Sequence, residues 1–138
     1  MSKPWSPMSS TLFLKLAYVA NVVILLPVCW ALFSEAGTRT VFEAKVAESE
    51  GLRLLVAALY GAILLVSVAG LVAPRFFAPL LLVQVVYKSI WLMVFVWPLY
   101  RSAGSAAVPW GITTTFLMII ATYPFLLWLG LRGSSSFQ

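Results

Sequence analysis

FFAPLLLVQVVYKSIWLMVFVWPLY, residues 76–100, reads as a membrane-spanning helix interrupted near its middle by Gln84, Lys88 and Ser89. At about 1.5 Å of rise per residue, Lys88 lies roughly 18 Å from either end of the stretch, close to the midplane of a hydrocarbon core about 30 Å thick. Its stem reaches about 6 Å, so snorkelling leaves the amine roughly 9 Å short of the interface. An ionisable group at that depth is a functional candidate in its own right.

Composition puts the rest of the chain in the same solvent. The protein has 138 residues, of which 62% are hydrophobic and 9% charged, against about 25% charged in soluble domains; its mean hydropathy is +1.01. Four apolar runs, at about 12–33, 52–72, 76–100 and 109–131, are long enough to span a bilayer. They use up most of the length, so a single integral membrane domain (residues 1–138) is expected: an all-α, four-transmembrane-helix up-down bundle. The net charge of +5 comes from basic residues scattered singly at helix ends. That pattern flanks a lipid bilayer and predicts no nucleic-acid partner. Cys29 is the sole cysteine and histidine is absent, which excludes an internal disulfide and removes the common ligand of haem, zinc and copper. No cofactor and no metal site are expected.

Residues 1–10 form a polar tail with Trp5 as an interfacial anchor. The first span is too long for the apolar region of a signal peptide and is expected to be retained; Pro27 within it frees the Val23 carbonyl and predicts a kink. Residues 34–51, SEAGTRTVFEAKVAESEG, carry every carboxylate: Glu35, Glu43, Glu48 and Glu50. Val41, Phe42 and Val46, with Arg39 and Glu43 at i,i+4, predict either a short amphipathic helix there or an irregular polar loop. In the second span Ala57/Gly61 and Ala58/Ala62 have small-xxx-small spacing, and Arg53, Ala57, Tyr60, Leu64 and Ser67 make a mildly polar stripe. The turn at Ala73, Pro74 and Arg75 predicts that spans two and three pack as neighbours. Pro109 and Trp110 open the fourth span, which carries Thr115, Thr122 and Pro124. Four spans put both termini on one side. Lys3, Lys15, Arg75 and Arg132 there tie with Arg39, Lys45, Arg53 and Arg101 on the other side when positive charges alone are counted; with no acids beside the first group, cytoplasmic termini in the cell's inner membrane are expected.

Depth measured along each helix puts Asn21, Tyr60 and Lys88 in one layer, with Thr115 and Thr122 a turn to either side. Gln84, Lys88 and Trp91 share a face at i, i+4 and i+7. The candidate ligand or docking residues are therefore Lys88, Gln84, Asn21, Tyr60, Trp91 and Thr115. Inserting a central lysine costs about 2.5–3.5 kcal/mol, which the apolar neighbours absorb, but an unpaired ammonium still needs an acceptor. No span holds a central acid. The candidate acid partners Glu35 and Glu50 flank the spans about 15 Å from Lys88 in depth. Three arrangements answer the amine: a neutral or weakly charged Lys88 held by Asn21, Tyr60, threonines and freed proline carbonyls; an acid from a dipping 34–51 loop or another subunit; or a cavity for an anionic or carbonyl-bearing lipophilic ligand. No nucleotide loop, catalytic triad or positioned acid–base pair is present, so no catalytic residue is assigned and an enzyme is disfavoured.

The runs VYKSIWLMVFVWPL (86–99) and VPWGITTTFLMIIATYPFLLW (108–128), with the small size and four spans, resemble small bacterial four-helix membrane proteins of the broad DoxX-like kind. The likeness covers residues 50–130 and rests on topology and on the Tyr87-Lys88 and Pro124 contexts. It implies a non-enzymatic accessory or assembly subunit of a membrane complex, some relatives being similar to subunits of membrane redox systems. A membrane-protein partner or a homo-oligomer then follows, with Lys88 as a docking element; the competing expectation is a ligand-binding or transport protein centred on Lys88. The resemblance transfers no site residue.

Overall fold

The computed structural model describes residues 7–34 and 36–132, with side chains from Ser10 onward. The expectations for Lys3, Trp5 and Glu35 fall outside these residues. Five helices and no strand occur among those described: α1 (Pro7–Leu32), α2 (Gly37–Val41), α3 (Glu50–Val72), α4 (Ala78–Ala103) and α5 (Trp110–Leu131). Four of them, all but α2, are long and apolar enough to cross a membrane. The chain is a small integral membrane protein of all-α, four-helix architecture.

The buried faces of the long helices mix small and hydrogen-bonding residues with a few large aliphatics such as Leu14, Leu81 and Ile119, while many further aliphatics face outward, as expected where lipid tails are as apolar as leucine. On α3 the buried face is Arg53, Ala57, Tyr60, Ile63, Ser67 and Gly70; Ala58 and Ala62 face out. α1 and α5 continue through Pro27 and Pro124. α4 behaves differently. Pro98 offers no N–H, so the Val94 carbonyl loses its ordinary partner. The helix widens into a π-helical turn over Leu92–Val96, with the Trp97 N–H reaching back to the Leu92 carbonyl. α4 then runs on to Ala103, beyond the expected end at residue 100, and stops at Gly104, whose φ of 79° suits glycine.

Side-chain contacts fix the directions. Tyr18 near the start of α1 donates to the Pro74 carbonyl after α3 (2.8 Å), and Arg53 at the start of α3 donates to the Leu32 carbonyl at the end of α1 (2.8 Å). Leu14 lies against Gly130, and Tyr100 meets Trp110 edge-on. Consecutive long helices are therefore antiparallel. Their packing is uneven: α3 lies on α1, α1 on α5 and α5 on α4, while α3 and α4 stand further apart. The expected neighbours, spans two and three, meet through side chains with little close backbone approach. The bulky Tyr60 and Tyr87 side chains, whose hydroxyls are neighbours, occupy the space between them.

Two polar knots tie this frame. The first lies deep in the bundle: Asn21 donates from Nδ2 to Ser67 Oγ (3.0 Å), Ser67 donates to the Ile63 carbonyl (2.7 Å), and the Tyr123 hydroxyl donates to Asn21 Oδ1. It joins α1, α3 and α5. The second is Arg53, 8% exposed, which holds the carbonyls of Leu32 and Ser34 and also Glu48 Oε1. It clamps both stems of the polar connection between α1 and α3. Gly37 permits this closure, because a Cβ there would stand 2.0 Å from the Ala31 carbonyl oxygen.

Tyr123→Phe leaves Asn21 Oδ1 without its donor and is expected to destabilise the bundle by about 0.6–1.7 kcal/mol, the range measured for hydrogen bonds between membrane helices. Unfolding in mixed micelles measures this directly; unchanged stability would mean that the knot does not hold α5 to α1.

Candidate functional site

Because α1 and α5 pack tightly at the Leu14–Gly130 end, the interior is filled there by Leu14, Tyr18, Leu81, Ile119 and Tyr123. Toward the opposite end lies a cavity of about 330 Å³. Its walls come mostly from α1, α4 and α5, and α3 contributes Tyr60. The size lies at the lower end of the range for small-molecule sites. Leu25, Ile112, Phe116 and Ile119 make much of the wall apolar, while Asn21, Gln84 and Lys88 provide its buried polar part. Exposed residues Pro27, Thr40, Glu43 and Gly111 form its mouth.

Lys88 is 2% exposed. Its Nζ donates to Gln84 Oε1 at 3.0 Å and to the Tyr87 hydroxyl at 2.6 Å, and it lies 5.1 Å from the centre of the Phe116 ring, within cation–π range. Among the described residues no carboxylate is within ion-pairing distance of it. The i,i+4 spacing explains the Gln84 contact. The amide is oriented by that bond, since only Oε1 can accept from the amine. Its Nε2 is thereby left buried without a partner. The amine makes two donations here, so Gln84 Nε2 is the buried donor that the site leaves without an acceptor.

Lys88, Gln84, Asn21, Tyr60 and Thr115 all line this one cavity. Their hydrogen bonds divide them. Asn21 belongs to the Ser67–Tyr123 knot, and Thr115 bonds back to the Gly111 carbonyl (2.9 Å), as helical threonines commonly do. Trp91 is not part of the lining; it stacks on Phe95 and packs edge-on to Phe116, supporting the wall from behind. Glu50 is exposed in the first turn of α3, away from the cavity, because α3 turns Arg53 inward. The carboxylate on the cavity is Glu43. The expected i,i+4 pairing of Arg39 with Glu43 does not form, since α2 ends at Val41 and Glu43 and Ala44 take left-handed conformations with φ of 55° and 58°. Glu43 instead accepts from the Gly111 N–H at 2.8 Å and pairs with Lys45 at 3.5 Å, and Lys45 donates to the Val108 carbonyl at 2.9 Å.

No family model matches the chain, and comparison with curated proteins and with solved structures returns no match. The site is therefore interpreted through its own geometry. Sequence analysis missed Tyr87 and Phe116 as partners of the amine. Tyr87 adjoins Lys88, but a position next door normally points elsewhere on a helix; the Phe116 contact depends on how α4 and α5 are rotated.

Gln84→Glu places a carboxylate beside Nζ and removes the orphaned amide nitrogen. An ion pair at 4 Å is worth about 4 kcal/mol at an effective dielectric of 20, so the variant is expected to melt several degrees higher; an unchanged or lower melting temperature would show that the amine does not lack an acceptor. The Gly111 amide, aided by Lys45, holds the exposed Glu43 carboxyl below its ordinary range. A lowered folded-state value means that docking by Glu43 is fully present above the ordinary carboxylate pKa of about 4.3 and is lost as pH falls through the lower value. A nitroxide at Thr40→Cys, in a Cys29→Ser background, should be immobilised at neutral pH and freed only in acid below the ordinary carboxylate range; constant mobility would contradict this.

Proposed function

We propose that the protein binds, and presents or moves within the bilayer, a lipophilic molecule whose polar head bears a carbonyl or carboxylate. The observation that carries this reading is the orphaned Gln84 Nε2 donor beside the Lys88 amine in an apolar cavity: an acceptor-bearing head would satisfy the Gln84 Nε2 group and sit against the amine. An unsatisfied buried donor costs about 1–3 kcal/mol, so the ligand-free site is primed to take an acceptor. The apolar wall suits the tail, and the partly exposed mouth between α1 and α5 suits entry from the lipid. A docking role for Lys88 at a partner's acid fits less well, because the amine is buried and bonded inward. We place the end of the bundle carrying Lys15 and Arg75 on the cytoplasmic side of the inner membrane, since every carboxylate of the sequence lies in residues 34–51 at the opposite end.

Thermal unfolding in detergent with dodecanoate and with a short-chain alkyl benzoquinone tests the proposal. At 100 times Kd a ligand stabilises by about 2.7 kcal/mol, so at least one probe should raise the melting temperature of the parent and have no effect on Lys88→Met or Gln84→Leu. Equal shifts in parent and variants, or none in the parent, would overturn it.

A further inference from the structure

The polar connection is built as a closure for the cavity as well as a link between α1 and α3. Its two stems are gathered by one side chain, since Arg53 holds the Leu32 and Ser34 carbonyls on one stem and Glu48 on the other. Between them, residues 36–45 cross from α1 to the start of α5, and Thr40, Val41 and Glu43 line the cavity mouth. The far end is fastened by two contacts only a residue apart in sequence, Glu43 Oε1 to the Gly111 N–H and Lys45 Nζ to the Val108 carbonyl. The Glu43–Gly111 bond is at the protein surface, where water competes for both groups, and the Lys45–Val108 bond is part-buried. The two consecutive residues at the fastening, Glu43 and Ala44, are non-glycine residues in left-handed conformations, a strain that persists only while surrounding contacts enforce it. The stem side is bound by a buried guanidinium, while the tip is held by one exposed and one part-buried hydrogen bond over a strained backbone, so the tip is the part that releases first.

We infer that residues 36–45 are a lid over the Lys88 cavity, pivoting at the Arg53 clamp and latched by Glu43 and Lys45 to the start of α5. This rests on the binding reading above and supplies its gate. Opening frees the Gly111 N–H and Val108 carbonyl to water and uncovers the crevice between α1 and α5; closing shuts a bound head away from the interface. The latch can be broken from either side. Glu43→Ala removes the acceptor, and Gly111→Ala sets a Cβ 2.9 Å from Glu43 Oε1, the far end of a flexible side chain, which must move away.

The test uses Leu25→Cys as a reporter in a Cys29→Ser background, because Leu25 lines the cavity on α1 and is 6% exposed. Labelling by neutral N-ethylmaleimide is followed in the full chain in detergent. Both latch variants are expected to label at least five-fold faster than the parent reporter, with helicity unchanged. Lys88→Met should abolish stabilisation by dodecanoate or the quinone yet leave this acceleration intact. Equal labelling rates in the parent and both latch variants overturn the lid; faster labelling with no binding of either probe overturns the binding reading and leaves the lid standing.

Discussion

A lysine amine held inside an apolar bundle must find acceptors, and in this molecule it finds them on its own helix, from Gln84 and Tyr87. Everything around the site follows from where that contact leaves the other groups. Spending Gln84 Oε1 on the amine orphans Gln84 Nε2. Seating the amine beside Phe116 fixes how α4 faces α5. Neither α1 nor α3 supplies an acid, so Gln84 Nε2 keeps no acceptor and the site remains able to take one from outside the chain.

The uneven packing of the bundle is the second part of the design. Small or slim contacts let α1 approach α3 and α5 closely at one end, where Leu14 meets Gly130 and the Asn21 knot ties three helices. At the other end α3 and α4 are held apart by tyrosines, and α1 and α5 leave the crevice that residues 36–45 bridge. The first end is fastened by buried packing and hydrogen bonds, while the second combines the buried Arg53 clamp with an exposed Glu43–Gly111 bond. Stability and access are thus placed at opposite ends.

Much of the architecture was legible in the sequence because a bilayer demands runs of about 20 apolar residues and few other folds contain four of them. Gln84 and Lys88 were legible as a pair because i,i+4 spacing puts them on one face. What depends on helix rotation was not. Periodicity could not show that Trp91 would turn toward Phe95 and Phe116, nor that a tight turn after α3 would lead to helices whose backbones hardly meet. The loop hid most. The i,i+4 spacing of Glu43 from Arg39 pointed to the wrong partner, since its role comes from two consecutive left-handed residues and from the position of Gly111, 68 residues further along the chain. Arg53 looked like a basic residue at a helix mouth, and its reach to Leu32, Ser34 and Glu48 required the closed connection to exist.

The central claim is that the Lys88 amine is enclosed by Gln84, Tyr87 and Phe116, and side-chain NMR of protein labelled with 15N and 13C at lysine tests it most directly. Lys88 should show slowly exchanging amine protons with cross-peaks to the Tyr87 and Phe116 rings, while Lys15 and Lys45, whose side chains reach the surface, exchange rapidly with water. A Lys88 amine that exchanges as fast as those two and shows no contact with either ring would contradict the account.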